Sequence, residues 1–251
     1  MTERILHKLA WVAVVICLAP MLAAILAAWH ADIADWRDVL SPVLPRYIGT
    51  TLALVVIVGV FTAIIGSVTA WLVTVYTFPG HRWLEVALAL PLAFPAYVMA
   101  YAYTYMLDHP GPVQTLLRDV TGWGARDYWF PEIRSLGGAA MMLTMVLYPY
   151  VYLLARASFR QQSSNAFLVA RTLGASPVRA FTRVALPMAR PAIAGGALLA
   201  IMETTADYGP VAYFNVPTFA TGIYPAWFSL GNPGAAAPLA LCLLTFALPL
   251  A

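Results

Sequence analysis

The chain has 251 residues, 62% of them hydrophobic and only 10% charged, with a net charge of +3. A water-soluble domain of this length does not carry such a surface, so the composition excludes a soluble globular enzyme and points to an all-α integral membrane protein. The small positive charge is no nucleic-acid signal, because the arginines lie beside apolar runs; membrane lipid is the expected surrounding.

Arg4 and Lys8 precede an uncharged run from Leu9 to Trp29. The run is too long for the apolar region of a signal peptide and long enough to cross about 30 Å, so it predicts an uncleaved first transmembrane helix. A loop from His30 to Tyr47 carries Asp32, Asp35 and Asp38, and a second span covers Ile48 to Val75 without a charge. After a turn at Pro79-Gly80, a third span is expected over Trp83–Leu107, kinked at Pro91 and Pro95. Its second half holds Tyr97, Tyr101, Tyr103 and Tyr105, which suit either an interfacial aromatic belt or the lining of a path. Asp108 to Ser135 reads as a mixed-charge loop. The fourth span, Leu136–Ala155, opens on Gly137, Gly138, Ala139 and Ala140, small enough for close helix packing. A basic segment over about 156–190 follows. A fifth span runs from near Pro191 to Tyr208, then an external segment from Gly209 to Gly234, then a sixth span from Ala235 to Ala251.

Charge orients these six spans. Arg4, Lys8, Arg82 and the six arginines between Arg156 and Arg190 fall on one side, while the acids of the 30–47 and 108–135 loops fall on the other. The positive-inside rule then places the N-terminus in the cytoplasm. No charged residue follows Asp207, so the last helix lacks a basic flank. A chain stopping within hydrocarbon would expose its final carbonyls, and the expectation is that residues 1–251 form one transmembrane domain, the N-terminal portion of a longer protein. Cys17 and Cys242 lie far apart in apolar runs, and His7, His30, His81 and His109 are scattered, so neither a disulfide framework nor a metal site is expected.

The long polar and basic segment, Leu168 to Pro191, organises the chain. It reads as two short helices joined at Gly174, where glycine takes a left-handed C′ conformation without penalty. Ser176 suits an N-cap and Pro177 the first helical position. Val178, Phe181, Ala185 and Leu186 recur on one face, and Pro187 is expected to end the second helix. By composition alone this is a basic amphipathic loop on the membrane surface. Its spacing resembles the coupling-loop motif of ABC importer permeases, Glu-Ala-Ala, three residues, Gly, then a late Leu-Pro. Ala170, Gly174, Leu186 and Pro187 match closely, whereas Leu168 stands where the motif has its acid. The resemblance implies a type I ABC importer fold and an ATPase-coupling role for Ala170, Gly174, Ser176, Pro177, Phe181, Leu186 and Pro187.

In the fifth span Glu203 and Asp207 stand four residues apart, with Thr204 and Tyr208 beside them. A charge at mid-membrane costs about 2.5–3.5 kcal/mol, so an acid there faces protein or water, and these four are candidates for a translocation path. The alternative is that both lie near the wet outer interface and cap the helix end, a placement that suits Asp207 better than the deeper Glu203. Met202–Phe214 and Thr218–Phe228 resemble ferric iron ABC importer permeases, commonly two fused homologous halves, each with its own coupling loop. With one loop present, this resemblance implies the N-terminal half, the second being absent. It further implies a bacterial inner membrane, alternating access, a periplasmic binding protein, a second permease half and separate ATPase subunits that use ATP and Mg. The chain has no Gly-rich loop ending in Gly-Lys-Ser/Thr, so no cofactor is expected on it and it is not expected to be an enzyme. Thiamine, polyamine and phosphonate permeases share the coupling loop, and an ion-coupled secondary transporter would also carry intramembrane acids.

Overall fold

The computed structural model describes residues 2–38, 44–161, 169–228 and 233–248. Every regular element among them is helical, as lipid requires of a chain whose backbone must satisfy itself segment by segment. In order these are α1 (Thr2–Trp29), α2 (Ile33–Asp38), α3 (Leu44–Val75), α4 (His81–Ala87), α5 (Ala96–Leu107), α6 (Pro112–Thr121), α7 (Leu136–Gln161), α8 (Pro177–Ala206), α9 (Gly209–Tyr213), α10 (Phe219–Phe228) and α11 (Pro233–Ala247). Leu6–Trp29 of α1, together with α3, α7 and α8, is long and apolar enough to cross a membrane. The expected sixth span contains a shorter apolar helix, Ala236–Ala247, and residues 249–251 lie outside the described residues.

The expected third span is not one helix. His81–Ala93 and Ala96–Thr121 meet at 102°, with Phe94 extended at ψ 134° and Pro95 at ψ 134° between them. Proline disfavours the α conformation in the residue before it, so Pro95 breaks the helix at Phe94 rather than bending it. The expected loop at 108–135 holds α6, and the 209–234 segment holds α9 and α10.

Pro187 does not end its helix. α8 continues through Pro187 and Pro191 to Ala206, so the fifth span begins at Pro177. The reason is a π turn at Phe181–Ala185, where the Leu186 N–H donates to the Phe181 carbonyl five residues back. An interior proline normally collides with the carbonyl four residues before it, and the widened turn immediately preceding Pro187 makes room.

Contacts divide the chain into two compact units, Thr50–Val216 and the combination of 1–49 with 217–251. In the first, α7 is the axis. Gly66 of α3 and Gly196 of α8 both approach Val151 so closely that a methyl on either would lie 2.6 Å from a Val151 carbon. Leu54, Val58, Met142, Leu143, Leu147 and Phe214 fill one core, and Trp71, Tyr148, Tyr152, Phe159 and Phe181 another. The hydroxyls of Thr62, Ser67, Thr69 and Thr74 on α3 donate to carbonyls four residues back, which keeps them satisfied in an apolar span.

In the second unit the Trp36 Nε1–H donates to the Ala28 carbonyl at 3.2 Å, tying α2 to α1. Phe219 lies between the rings of Tyr47 and Phe246, at 6.4 and 5.9 Å. Thr218 and Thr221 cap α10 reciprocally, each hydroxyl accepting the other's backbone N–H, at 2.7 and 3.4 Å.

Candidate functional site

The basic segment expected to serve in coupling is built by local chemistry. Residues 169–172 are helical; Phe167 and Leu168 lie outside the described residues. The helix closes as a Schellman motif: the Ala175 N–H donates to the Ala170 carbonyl and the Gly174 N–H to the Arg171 carbonyl, both at 3.0 Å. Gly174 sits at φ +85°, in the left-handed region that favours glycine. The Arg171 guanidinium donates to the Ala175 carbonyl at 2.9 Å and braces the turn. Ser176 is extended, its Oγ accepts the Arg179 N–H at 3.3 Å, and Pro177 occupies the first turn of α8.

Phe181 anchors the segment. Its ring stacks on Trp71 of α3 with centroids 4.3 Å apart and lies 6.1 Å from the Phe159 ring on α7. Ala180, Ala185 and Ala189 are buried beside it, and Leu186 and Pro187 are half-buried. Burying a phenylalanine contributes about 1.5–3 kcal/mol, with about 0.5–1.5 more from aromatic stacking. Val178 does not join that face; with Val169 and Leu173 it is exposed, and Arg171, Arg179, Arg183 and Arg190 are exposed around them. The outward surface is therefore apolar at its tip and cationic around it.

A charge cluster missed by the sequence reading stands beside this anchor. Glu85 of α4 accepts a close ion pair from Arg156 and, at 3.1 and 3.3 Å, both contacts of Arg160, one turn further along α7. The Tyr152 hydroxyl donates to the Glu85 backbone carbonyl at 2.9 Å. Less than a fifth of the Glu85 and Arg156 side chains is exposed, and the buried Arg156 Nε has no partner of its own. The only sequence signal was a lone acid within an apolar stretch on the arginine-rich side; its partners are 71 and 75 residues away.

The four candidate path residues differ in exposure. α8 ends at Ala206, and Asp207 is its extended C-cap, its N–H donating to the Glu203 carbonyl at 2.9 Å. Glu203 is exposed, whereas Thr204 is buried and donates to the Ala200 carbonyl at 2.7 Å. Tyr208 is half-buried. Burial, followed by the Glu203 charge, pushes the Asp207 carboxyl up to about 6, against the Gly209 N–H, which lowers it. Among the described residues no group of three or more His, Cys, Asp or Glu could hold a metal ion.

Several helices long and apolar enough to cross a membrane, with a sharply turned basic segment leading into one of them, define an integral membrane protein. The sequence pattern of the family described as "binding-protein-dependent transport system inner membrane component" matches residues 63–250, and the chain belongs to that family. Its place is the bacterial inner membrane, which it crosses more than once. The Fe(3+)-transport system permease protein FbpB 2 of Haemophilus influenzae is 27% identical over 230 residues, covering 91% of this chain and 41% of that relative. The molybdenum transport system permease protein ModB of Escherichia coli is 29% identical over 195 residues, 75% of this chain and 81% of the relative. The sulfate transport system permease protein CysT of Salmonella typhimurium is 23% identical over 199 residues, 79% and 69%. This chain thus spans about two fifths of the length of the ferric relative. Among solved structures, a bacterial ABC transporter that imports the acidic polysaccharide alginate superposes with a TM-score of 0.79 at 16% identity, covering 99% of this chain and 93% of that one. The MetNI methionine ABC transporter, inward facing, gives 0.63 at 17% identity, with 83% and 91% covered. These two likenesses are of fold.

Proposed function

We propose that the chain is the permease of a binding-protein-dependent ABC importer, and that residues 169–190 are the part a separate ATPase grips. What carries the reading is the Schellman stop at Gly174 followed by the Ser176-capped restart, because it turns the chain sharply and feeds the contact into a single span. Ala170, Gly174, Ser176 and Pro177 set the turn, Phe181 fixes it to α3 and α7, and Leu186 and Pro187 carry it into α8. ATP and Mg are used by the partner. A periplasmic binding protein delivers the cargo, and a second permease half completes the path through which the helices rock.

The first reading of the cargo is ferric iron, supported by the segment Met202–Phe228 and by the FbpB 2 likeness across 91% of the chain. Glu203 and Asp207 are then carboxylates at the far end of α8 from the coupling segment, with Thr204 and Tyr208 shaping that end. The second reading, an oxyanion, is favoured by ModB, of whose length the chain covers 81%. Uptake of labelled ferric iron, molybdate and sulfate in cells lacking the native gene, with and without its ATPase partner, separates them. Uptake that requires both the gene and the ATPase is expected for one cargo only. Uptake that persists without any ATPase would instead indicate an ion-coupled carrier.

A further inference from the structure

At the end of α7 opposite the coupling segment an open pocket of about 510 Å³ lies among α5, the start of α6, Arg134 and Tyr213. We infer that this pocket is a binding subsite for an oxyanion. The inference rests on the permease reading and deepens it by naming the chemistry of the bound group.

Arg134 is held ready rather than consumed. Its Nε lies 3.6 Å from Asp108 Oδ2 and its guanidinium carbon 5.1 Å from the Tyr213 ring centroid, while about half of the side chain is exposed. Among the described residues its guanidinium donates no hydrogen bond. An arginine fixed by a carboxylate at one edge and an aromatic face still offers a planar fork of donors to an anion. Asp108 is thereby a positioning group for Arg134.

Thr104 also lines this pocket; the residue is only 2% exposed, and its buried hydroxyl has no hydrogen-bond partner. The comparable buried hydroxyls of Thr62 and Thr204 both donate to the carbonyl four residues back. Native structures rarely leave such a group orphaned, and a ligand seated in the pocket that Thr104 lines would supply the missing partner. Tyr101 and Tyr105, one turn apart on α5 and 61% and 66% exposed, add phenol donors. The rim also includes Gly111 and Pro112, at the start of the ten-residue α6, where the helix dipole presents its positive end. A bare metal cation fits poorly, since it would find one carboxylate, already engaged, and a guanidinium charge. Anionic oxygen fits whether it arrives as free sulfate or molybdate or as a ligand carried on ferric iron.

Equilibrium dialysis of the complete native protein in detergent, with radiolabelled sulfate, molybdate and ferric citrate against excess chloride, tests this. Saturable binding of at least one is expected, weakened about tenfold or more in Arg134→Gln and about threefold in Thr104→Val. Asp119→Asn, an exposed change on α6 away from the pocket, should bind as wild type. Retention of free sulfate or molybdate identifies the free anion as the source; retention of ferric citrate alone, with the same pattern among variants, identifies the metal-borne one. The proposal is overturned by absence of saturable binding, by displacement by chloride as effective as by sulfate, or by undiminished affinity in Arg134→Gln. ATPase-dependent uptake with an unchanged KM in Arg134→Gln would remove the pocket and leave the permease reading standing. Saturable, Arg134-dependent binding without any ATPase-dependent uptake would do the reverse.

Discussion

The packing of α7 at Val151 makes a prediction that two adjacent glycines resolve. A methyl added at Gly196 would lie 2.6 Å from Val151 Cα, 2.9 Å from its nitrogen and 3.0 Å from the Tyr150 carbonyl oxygen. One added at Gly66 would lie 2.6 Å from Val151 Cβ and 2.8 Å from both the Tyr148 oxygen and the Tyr152 nitrogen. These are mostly backbone atoms, which cannot rotate aside, so the helices must part. Going from 2.6 Å to the 3.4 Å of ordinary contact opens the seam by about 0.8 Å, a gap that forfeits about a quarter to a half of each pairwise dispersion well along it. Overpacking of this kind costs about 1–3 kcal/mol, offset by up to about 1 kcal/mol from the better helix propensity of alanine. At Gly195 the nearest atom to an added methyl is Leu154 Cδ1 at 3.9 Å, so only the propensity gain remains there. Thermal unfolding of the purified protein in detergent should therefore rank Gly195→Ala at or above wild type, and both Gly196→Ala and Gly66→Ala below it. Equal melting of Gly195→Ala and Gly196→Ala would refute the seam.

Glu85→Gln should lose about 1–3 kcal/mol because Arg156 keeps a largely buried, uncompensated charge; the double exchange Glu85→Arg with Arg156→Glu should recover part of it, and wild-type melting of the single variant would contradict this. Phe181→Ala empties the slot against Trp71 and should cost about 3 kcal/mol, read as a lowered denaturant midpoint, with Phe181→Leu intermediate. Gly174→Val places a β-branched residue at φ +85° and should abolish ATPase docking and uptake while membrane insertion stays normal; intact docking would sink it. For Asp207 the folded carboxyl is raised to about 6 from an ordinary 3.8, so its ionised form disfavours the fold. That penalty is absent below about pH 4 and sets in as pH rises through 6, so Asp207→Asn should gain stability over wild type between those limits and hold the gain above them; parallel pH profiles would count against it.

Much of this architecture was legible because it is local. Long uncharged runs predict spans from composition alone, and the stop at Gly174, the cap at Ser176 and the proline at Pro177 each follow from one residue's conformational preference. What failed were inferences that carried a local rule across a distance. Pro187 reads as a terminator, yet a π turn at Phe181–Ala185 lets the helix pass it. Glu85 could not be matched to Arg156 because no periodicity spans the 71 residues between them. Pro95 was read as a kink because membrane helices tolerate proline, whereas Phe94 leaves the helical region altogether.

The continuity of α8 changes what the coupling segment can transmit. A second short helix ending at Pro187 would have absorbed a push at Ser176 in the joint between it and the fifth span. Instead the Ser176 cap opens directly onto one helix of 30 residues, about 45 Å long, reaching Ala206. Its Phe181 end is bolted to α3 and α7, and Gly196 keys its middle to the backbone of α7. Under the proposed coupling role, a push at the cap would reach the Gly196 contact through one continuous helix, and the π turn lies between the two. The Glu85 cluster lies alongside, fastening α4 to the same end of α7 by charge.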